Sequence, residues 1–144
     1  MTATVFVLNG PNLNLLGTRE PEVYGTVTLD DIARMLTERA AEIGVALDIR
    51  QSNHEGHLID WLHEAAADGA RAVILNAGGY THTSIALRDA VAAIPVPVIE
   101  VHLSDPRTRE PFRQTNFLSG VCKRSITGLG AQGYLVALDA AAAL

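Results

Sequence analysis

One feature constrains this 144-residue sequence more than any other: its apolar residues alternate between two periods. Short aliphatic and β-branched runs, at 4–8, 45–49, 72–75, 98–103 and 121–126, have the length and composition of buried strands. Between them the apolar residues recur at helical spacing: Leu29, Ile32, Ala33, Leu36, Ala40 and Ile43, then Leu58, Ile59, Leu62, Ala65 and Ala66, then Leu87, Ala90, Val91 and Ile94, and finally Tyr134, Leu135 and Leu138. Punctuation agrees with the periods. Thr28 and Asp31 have capping-box spacing, Ser52 and Glu55 can cap the second helix, and Thr81 to Thr83 can open the third. Gly44 and Gly69 end helices, and Pro95-Val96-Pro97 separates the third helix from the fourth strand.

The pattern reads as a strand–helix unit repeated five times, without linker or internal sequence repeat. Such alternation implies an α/β domain over residues 1–144, with a doubly wound five-stranded parallel sheet in the flavodoxin-like order 2-1-3-4-5. A composition that is 48% hydrophobic, rich in Ala and Val and poor in aromatics, suits strands buried on both faces. The net charge of −5, with no basic tail or stripe, argues against nucleic acid and acidic membranes as partners. One cysteine, Cys122, precludes an internal disulfide and a cysteine-based zinc cluster. The N-terminus lacks a basic leader, and no apolar run approaches a membrane span, so the expected location is cytoplasmic.

In doubly wound sheets, ligands bind beyond the carboxyl ends of the strands near the switch in strand order. The polar clusters fall there: Asn9 and Asn12 after the first strand, Asn76 to His82 after the third, and Glu100 to Arg113 at and after the fourth. Glu100, His102 and Ser104 alternate, so on an extended chain they share a face. A Glu two residues before a His can orient the imidazole or support its charge, and Arg107, Arg109 and Arg113 add anion-binding groups. The connection 9–27 is long for a compact domain, and Gly17 and Gly25 bracket its second half as hinges of a lid would.

Other chemistries lack their residues. There is no P-loop and no Ser/Thr-Gly run for a flavin phosphate. Neither Ser84 nor Ser104 sits in a G-x-S-x-G elbow. Lys123, the only lysine, lies at the wrong end of the sheet for Schiff-base chemistry. His54 and His57 have metal-compatible spacing but no evident third ligand.

Several blocks resemble type II 3-dehydroquinate dehydratases: Asn9-Gly10-Pro11-Asn12-Leu13-Asn14-Leu15-Leu16-Gly17, Arg19-Glu20-Pro21, Tyr24-Gly25, residues 51–56, residues 76–84, Glu100-Val101-His102-Leu103-Ser104 and residues 128–134. The resemblance covers nearly the whole chain. It implies dehydration of 3-dehydroquinate to 3-dehydroshikimate through an enolate, without cofactor or metal, in the shikimate pathway or quinate catabolism. It also implies a trimer-based homo-oligomer, in the family a dodecamer. Carried over residue by residue, Tyr24 resembles the general base, His102 the general acid and Arg19 the lid arginine that favours tyrosinate. Asn12 resembles part of the set that holds a water at the enolate oxygen. Asn76, His82 and Arg113 resemble contacts to ring hydroxyls, and the backbone amides of Leu103 and Ser104 a clasp for the substrate carboxylate. Asp89 resembles a residue that reaches a neighbouring subunit's site.

The physics suits these roles. Tyrosine, with a pKa of about 10, needs a nearby guanidinium to act as a base at neutral pH. Hydroxide is a poor leaving group and needs an acid, which His102 supplies with Glu100 beside it. Two positions depart from the resemblance. Asp105-Pro106 stands where Asn is common, and is expected to weaken carboxylate binding unless an arginine neutralises it. Thr115-Asn116 replaces a common His-Ser pair, and residues 122–125 are more polar than a central strand warrants, as for an edge strand or one covered by another subunit. Two rival readings are a non-catalytic binding homologue and a dehydratase of a related hydroxy-keto acid.

Overall fold

The computed structural model describes residues 2–18 and 20–144, with the side chains of Val23 and Tyr24 outside the description. Its strands are β1 (Thr4–Asn9), β2 (Ala46–Gln51), β3 (Ala72–Asn76), β4 (Val98–His102) and β5 (Arg124–Thr127). Its helices are α1 (Pro21–Tyr24), α2 (Leu29–Ile43), α3 (Glu55–Ala67), α4 (Ile85–Ala93) and α5 (Gln132–Ala142). The strands form one parallel sheet in the order β2-β1-β3-β4-β5, as the alternation predicts.

The central strands are sealed on both sides because successive residues point to opposite faces. Val5, Val7, Ile74, Ile99 and Val101 pack with Ile32 and Leu36 of α2 and Leu138 of α5. Phe6, Leu8, Val73, Leu75 and Val98 pack with Leu58 and Leu62 of α3 and Leu87 and Val91 of α4. Each fully buried Leu or Ile here contributes about 1.5–3 kcal/mol relative to exposure. α2 starts at the predicted capping box: Asp31 N–H donates to Thr28 Oγ1 and Thr28 N–H donates to the Asp31 carboxylate, both at 3.0 Å.

Several assignments differ from the sequence reading. β2 starts a residue later and runs on to Gln51, because its last residue pairs with Asn9 of β1. α4 is capped by Ser84, whose Oγ accepts from Leu87 N–H at 2.8 Å; Thr81 lies in a preceding 3-10 turn, Gly78–His82. Ser52 does not cap α3; its hydroxyl accepts from His54 N–H and meets His57 Nδ1 at 2.7 Å. Strand five is Arg124–Thr127 rather than 121–126, since Val121 and Cys122 N–H groups turn back onto the Leu118 carbonyl. β5 pairs only with β4, and an edge strand accommodates its polar residues.

The fourth repeat is also incomplete. β4 is followed not by a helix but by two 3-10 turns, Pro106–Thr108 and Pro111–Gln114, each opened by a proline that cannot continue an α-helical ladder. This irregular crossover leaves the end of β4 open. The loops after β1 and β3 approach closely beside it. A Cβ on Gly10 would lie 2.6 Å from the Ala77 carbonyl oxygen, and Gly78, at φ +59°, would bring a Cβ within 3.1 Å of the Pro11 oxygen. Glycine is required at this crossing, which forms one wall of the site.

Candidate active site

Beyond the ends of β1, β3 and β4 lies a cavity of about 230 Å³. Asn12, Asn76, His82, His102, Leu103, Ser104 and Arg113 all line it, so seven residues expected from three separate segments converge. Glu100 stands behind His102. Asp89 is exposed on α4 and does not line its own chain's cavity. Arg19 lies outside the described residues. Tyr24 closes α1 with its backbone, while its side chain is outside the description.

The floor is held by a buried neutral network. Asn76 Nδ2 donates to Tyr134 Oη at 3.0 Å, and that hydroxyl donates to Asn9 Oδ1 at 2.7 Å. Asn9 Nδ2 donates in turn to the Arg50 carbonyl, and Asn76 Oδ1 accepts from Gly78 N–H at 3.2 Å. Burial pushes the Tyr134 phenol well above its ordinary value, so it stays protonated. The network fixes the Asn76 amide at the cavity's edge.

The loop after β2 supplies the next support. Asn12 sits in the left-handed region at φ 69°, which asparagine tolerates, and its N–H donates to Asn53 Oδ1 at 3.0 Å. Tyr80 Oη donates to the Asn53 carbonyl at 2.8 Å, and Gln51 Nε2 donates to the Gly10 carbonyl at 3.1 Å. These bonds explain a bracing role for residues 51–53, which contribute nothing to the cavity lining. The nearby His54 and His57 rings pack edge to face. Among the described residues, no group of three His, Cys, Asp or Glu side chains is placed to hold a metal ion.

His82 and His102 have different environments. His82 Nδ1 meets the Thr115 carbonyl at 2.7 Å, and a carbonyl can only accept, so Nδ1 carries the proton. Burial lowers its pKa against that hydrogen bond, assisted by Arg113, His102 and Arg109. His82 is therefore neutral near pH 7, with Nε2 an acceptor suited to a ligand hydroxyl. His102 Nε2 instead donates to Glu100 Oε2 at 2.9 Å. Glu100 is 1% exposed. Burial alone would raise its pKa, but hydrogen bonds from His102, Ser125 and Asn116, with the charge of His102, hold it below the ordinary value. The carboxylate can thus support an imidazolium, leaving Nδ1 as the nitrogen not engaged by Glu100.

Of the three loop arginines, the structure selects two. Arg109 and Arg113 line the cavity; Arg107 lies outside its lining, with a side chain 78% exposed. Arg113 is braced by Glu110 at 3.2 Å and by the Phe112 ring, and Arg109 approaches Glu20 at 3.9 Å and Glu110 at 3.7 Å. Arg109 was legible only as one of an arginine cluster, since spacing does not tell which members turn inward. Arg107 grips Asp105, donating from Nε and Nη2 at 3.0 and 2.9 Å, and its hydrogen bonds keep that carboxyl below the usual range. Asp105 is therefore neutralised, and it does not line the cavity. The carbonyls of Leu103 and Ser104 accept from Gly130 and Gly128 N–H, which fixes the peptide planes where β4 ends.

The structure is thus a flavodoxin-like α/β domain with a polar cavity at its switch point, lined by two guanidinium groups, a neutral His and a second His hydrogen-bonded to a buried Glu. The chain belongs to the dehydroquinase class II family, whose model matches residues 3–142. It is 54% identical to a 3-dehydroquinate dehydratase of Rhodopseudomonas palustris strain BisA53, over 99% of this chain and 95% of that protein. It is also 54% identical to one of Acidovorax sp. strain JS42, over 96% of this chain and 97% of that protein. The crystal structure of type II dehydroquinase from Propionibacterium acnes superposes with a TM-score of 0.95 at 41% identity, covering 100% of this chain and 99% of that one. That from Butyrivibrio crossotus gives 0.95 at 39% identity, covering 97% of each chain.

Proposed function

We propose that this protein dehydrates 3-dehydroquinate to 3-dehydroshikimate through an enolate. The observation that carries the reading is the Glu100–His102 pair at the wall of a cavity formed by three strand ends, in a member of this family. In this reading Tyr24, held as phenolate by Arg19, removes a proton alpha to the ketone. Negative charge passes to the ketone oxygen, where a water held with the help of Asn12 donates to it. The enolate then expels the beta hydroxyl, which takes a proton from His102 and leaves as water. His102 ends neutral and Tyr24 protonated, and a net proton return from Tyr24 to His102 through solvent restores both. The backbone amides of Leu103 and Ser104 hold the substrate carboxylate, while Asn76, His82 and Arg113 hold ring hydroxyls. The neutral state of His82 supports its share, because Nε2 is then a hydroxyl acceptor.

The reading invokes no metal or cofactor. It takes residues 1–144 as one catalytic domain acting in the cytoplasm; among the described residues, no helix is long and apolar enough to cross a membrane. The exposure of Asp89 supports its reaching a neighbour's site in a trimer-based dodecamer. The test mixes purified protein with 3-dehydroquinate and follows the ultraviolet absorbance of the conjugated enone. Wild type should give rapid signal, and Tyr24→Phe should lose about 100-fold or more. A folded wild type with no signal rejects the activity.

A further inference from the structure

Two donors meet Glu100 from outside its own strand, and the acid–base scheme above does not use them. Ser125 lies on β5 in register with Glu100 of β4, so the two side chains share a face of the sheet. Its hydroxyl donates to Glu100 Oε1 at 2.5 Å. Asn116, in the loop between the strands, donates from Nδ2 to Oε1 at 3.1 Å and to Oε2 at 3.3 Å. The amide cannot be turned over, because Asn116 Oδ1 accepts from Leu118 N–H at 2.7 Å and from Ser119 N–H at 2.9 Å. His102 takes only Oε2. Every oxygen of a carboxylate that is 1% exposed thus has a donor, and two of the three donors lie beyond the Glu–His pair.

We propose that Ser125 and Asn116 are positioning residues that clamp Glu100 in its ionised form, so that the proton of the buried pair resides on His102. The inference rests on reading His102 as the acid. In a water-poor setting, a carboxylate beside an imidazolium can take the proton, giving a neutral acid and a neutral ring. Ser125 and Asn116 donate to the carboxylate and lose that strength when it is protonated, so they favour the charge-separated pair. They also hold the carboxylate plane, and with it the His102 ring. Other charged or titratable groups near Glu100 do not replace them. Asp105 and Arg107, which share a second cavity with Glu100, pair with each other, and Arg113 pairs with Glu110. The Cys122 thiol, pushed up to about 12 by burial and by the charge of Glu100, stays neutral.

The test uses the full-length protein and two variants. Asn116→Asp keeps the oxygen that Leu118 and Ser119 need but replaces the donor to Glu100 with a carboxylate oxygen. Ser125→Ala removes the hydroxyl on an exposed edge strand, where the fold tolerates the change. With 3-dehydroquinate as substrate, kcat of Asn116→Asp should fall about tenfold at neutral pH, with KM within about twofold of wild type. The acid limb of its kcat profile should rise by about one pH unit, because two carboxylates then share the site. Ser125→Ala should move both quantities the same way, with kcat down about threefold. The ¹³C titration of the Glu100 carboxyl should move upward in both variants, a readout independent of turnover. Unchanged acid limbs and an unchanged Glu100 titration in well-folded variants overturn the clamp. His102→Ala separates the two levels: if it retains the wild-type rate, the acid assignment falls and takes the clamp's role in turnover with it.

Discussion

Two hydrogen-bond networks support the same cavity by different means. Beneath β1 and β3, Asn9, Tyr134 and Asn76 form a neutral chain sealed in the middle of the sheet. At the margin, Glu100, His102, Asn116 and Ser125 form a charged cluster between β4 and the edge strand. The central network has no group that titrates near neutral pH, so it holds shape. The marginal one holds a buried carboxylate with a donor on each oxygen. The difference teaches that a doubly wound sheet can keep a neutral, packed network at its centre and an ionised group toward its edge.

Four experiments break or sharpen this contrast. The largest effect is expected for His102→Ala, which should lower kcat by about 10²–10⁴-fold, a far larger effect than the loss of stability that accompanies it, as steady-state kinetics and calorimetry can show. Tyr134→Phe should do the reverse. It leaves Asn9 Oδ1 and one Asn76 bond without a partner, so denaturant unfolding should show a loss of about 1–3 kcal/mol, with a smaller change in kcat.

Acid should separate the networks next. The folded state depresses the pKa of Glu100, so its contribution to stability is present above the unfolded value near 4.5 and is lost as pH falls through the lower folded value. Urea midpoints of wild type and Glu100→Gln should therefore converge below pH 4.5, whereas the deficit of Tyr134→Phe should persist there. The smallest effect is expected for Asp105→Asn. Arg107 already neutralises that carboxylate in an exposed ion pair, so KM for 3-dehydroquinate should change by less than about twofold and the urea midpoint should stay that of wild type.

Much of the fold was legible because its signals are local. The capping box at Thr28 and Asp31 is satisfied within one turn, and the period-two and helical stripes name the buried faces directly. The polar residues at the ends of strands one, three and four were enough to place the cavity. The misreadings came where partners decide. Val121 and Cys122 look like strand residues, yet the Leu118 carbonyl captures their N–H groups before pairing with β4 begins. Arg107 and Arg109 are two residues apart in one cluster, but Asp105 draws one outward while the other lines the cavity.

The sequence by itself determined the order of elements, the burial of the central strands and the three segments that meet at the switch point, because side-chain periodicity and turn chemistry act over a few residues. Only the tertiary structure decided which groups touch. Tyr134 reaches Asn9 across 125 positions, and Ser125 and Asn116 reach Glu100 across 25 and 16. Those contacts depend on strand register and on the path of the loop after β4. The state of the central charge follows from the same contacts, since a carboxylate buried to this depth stays ionised only where the fold delivers donors to both oxygens.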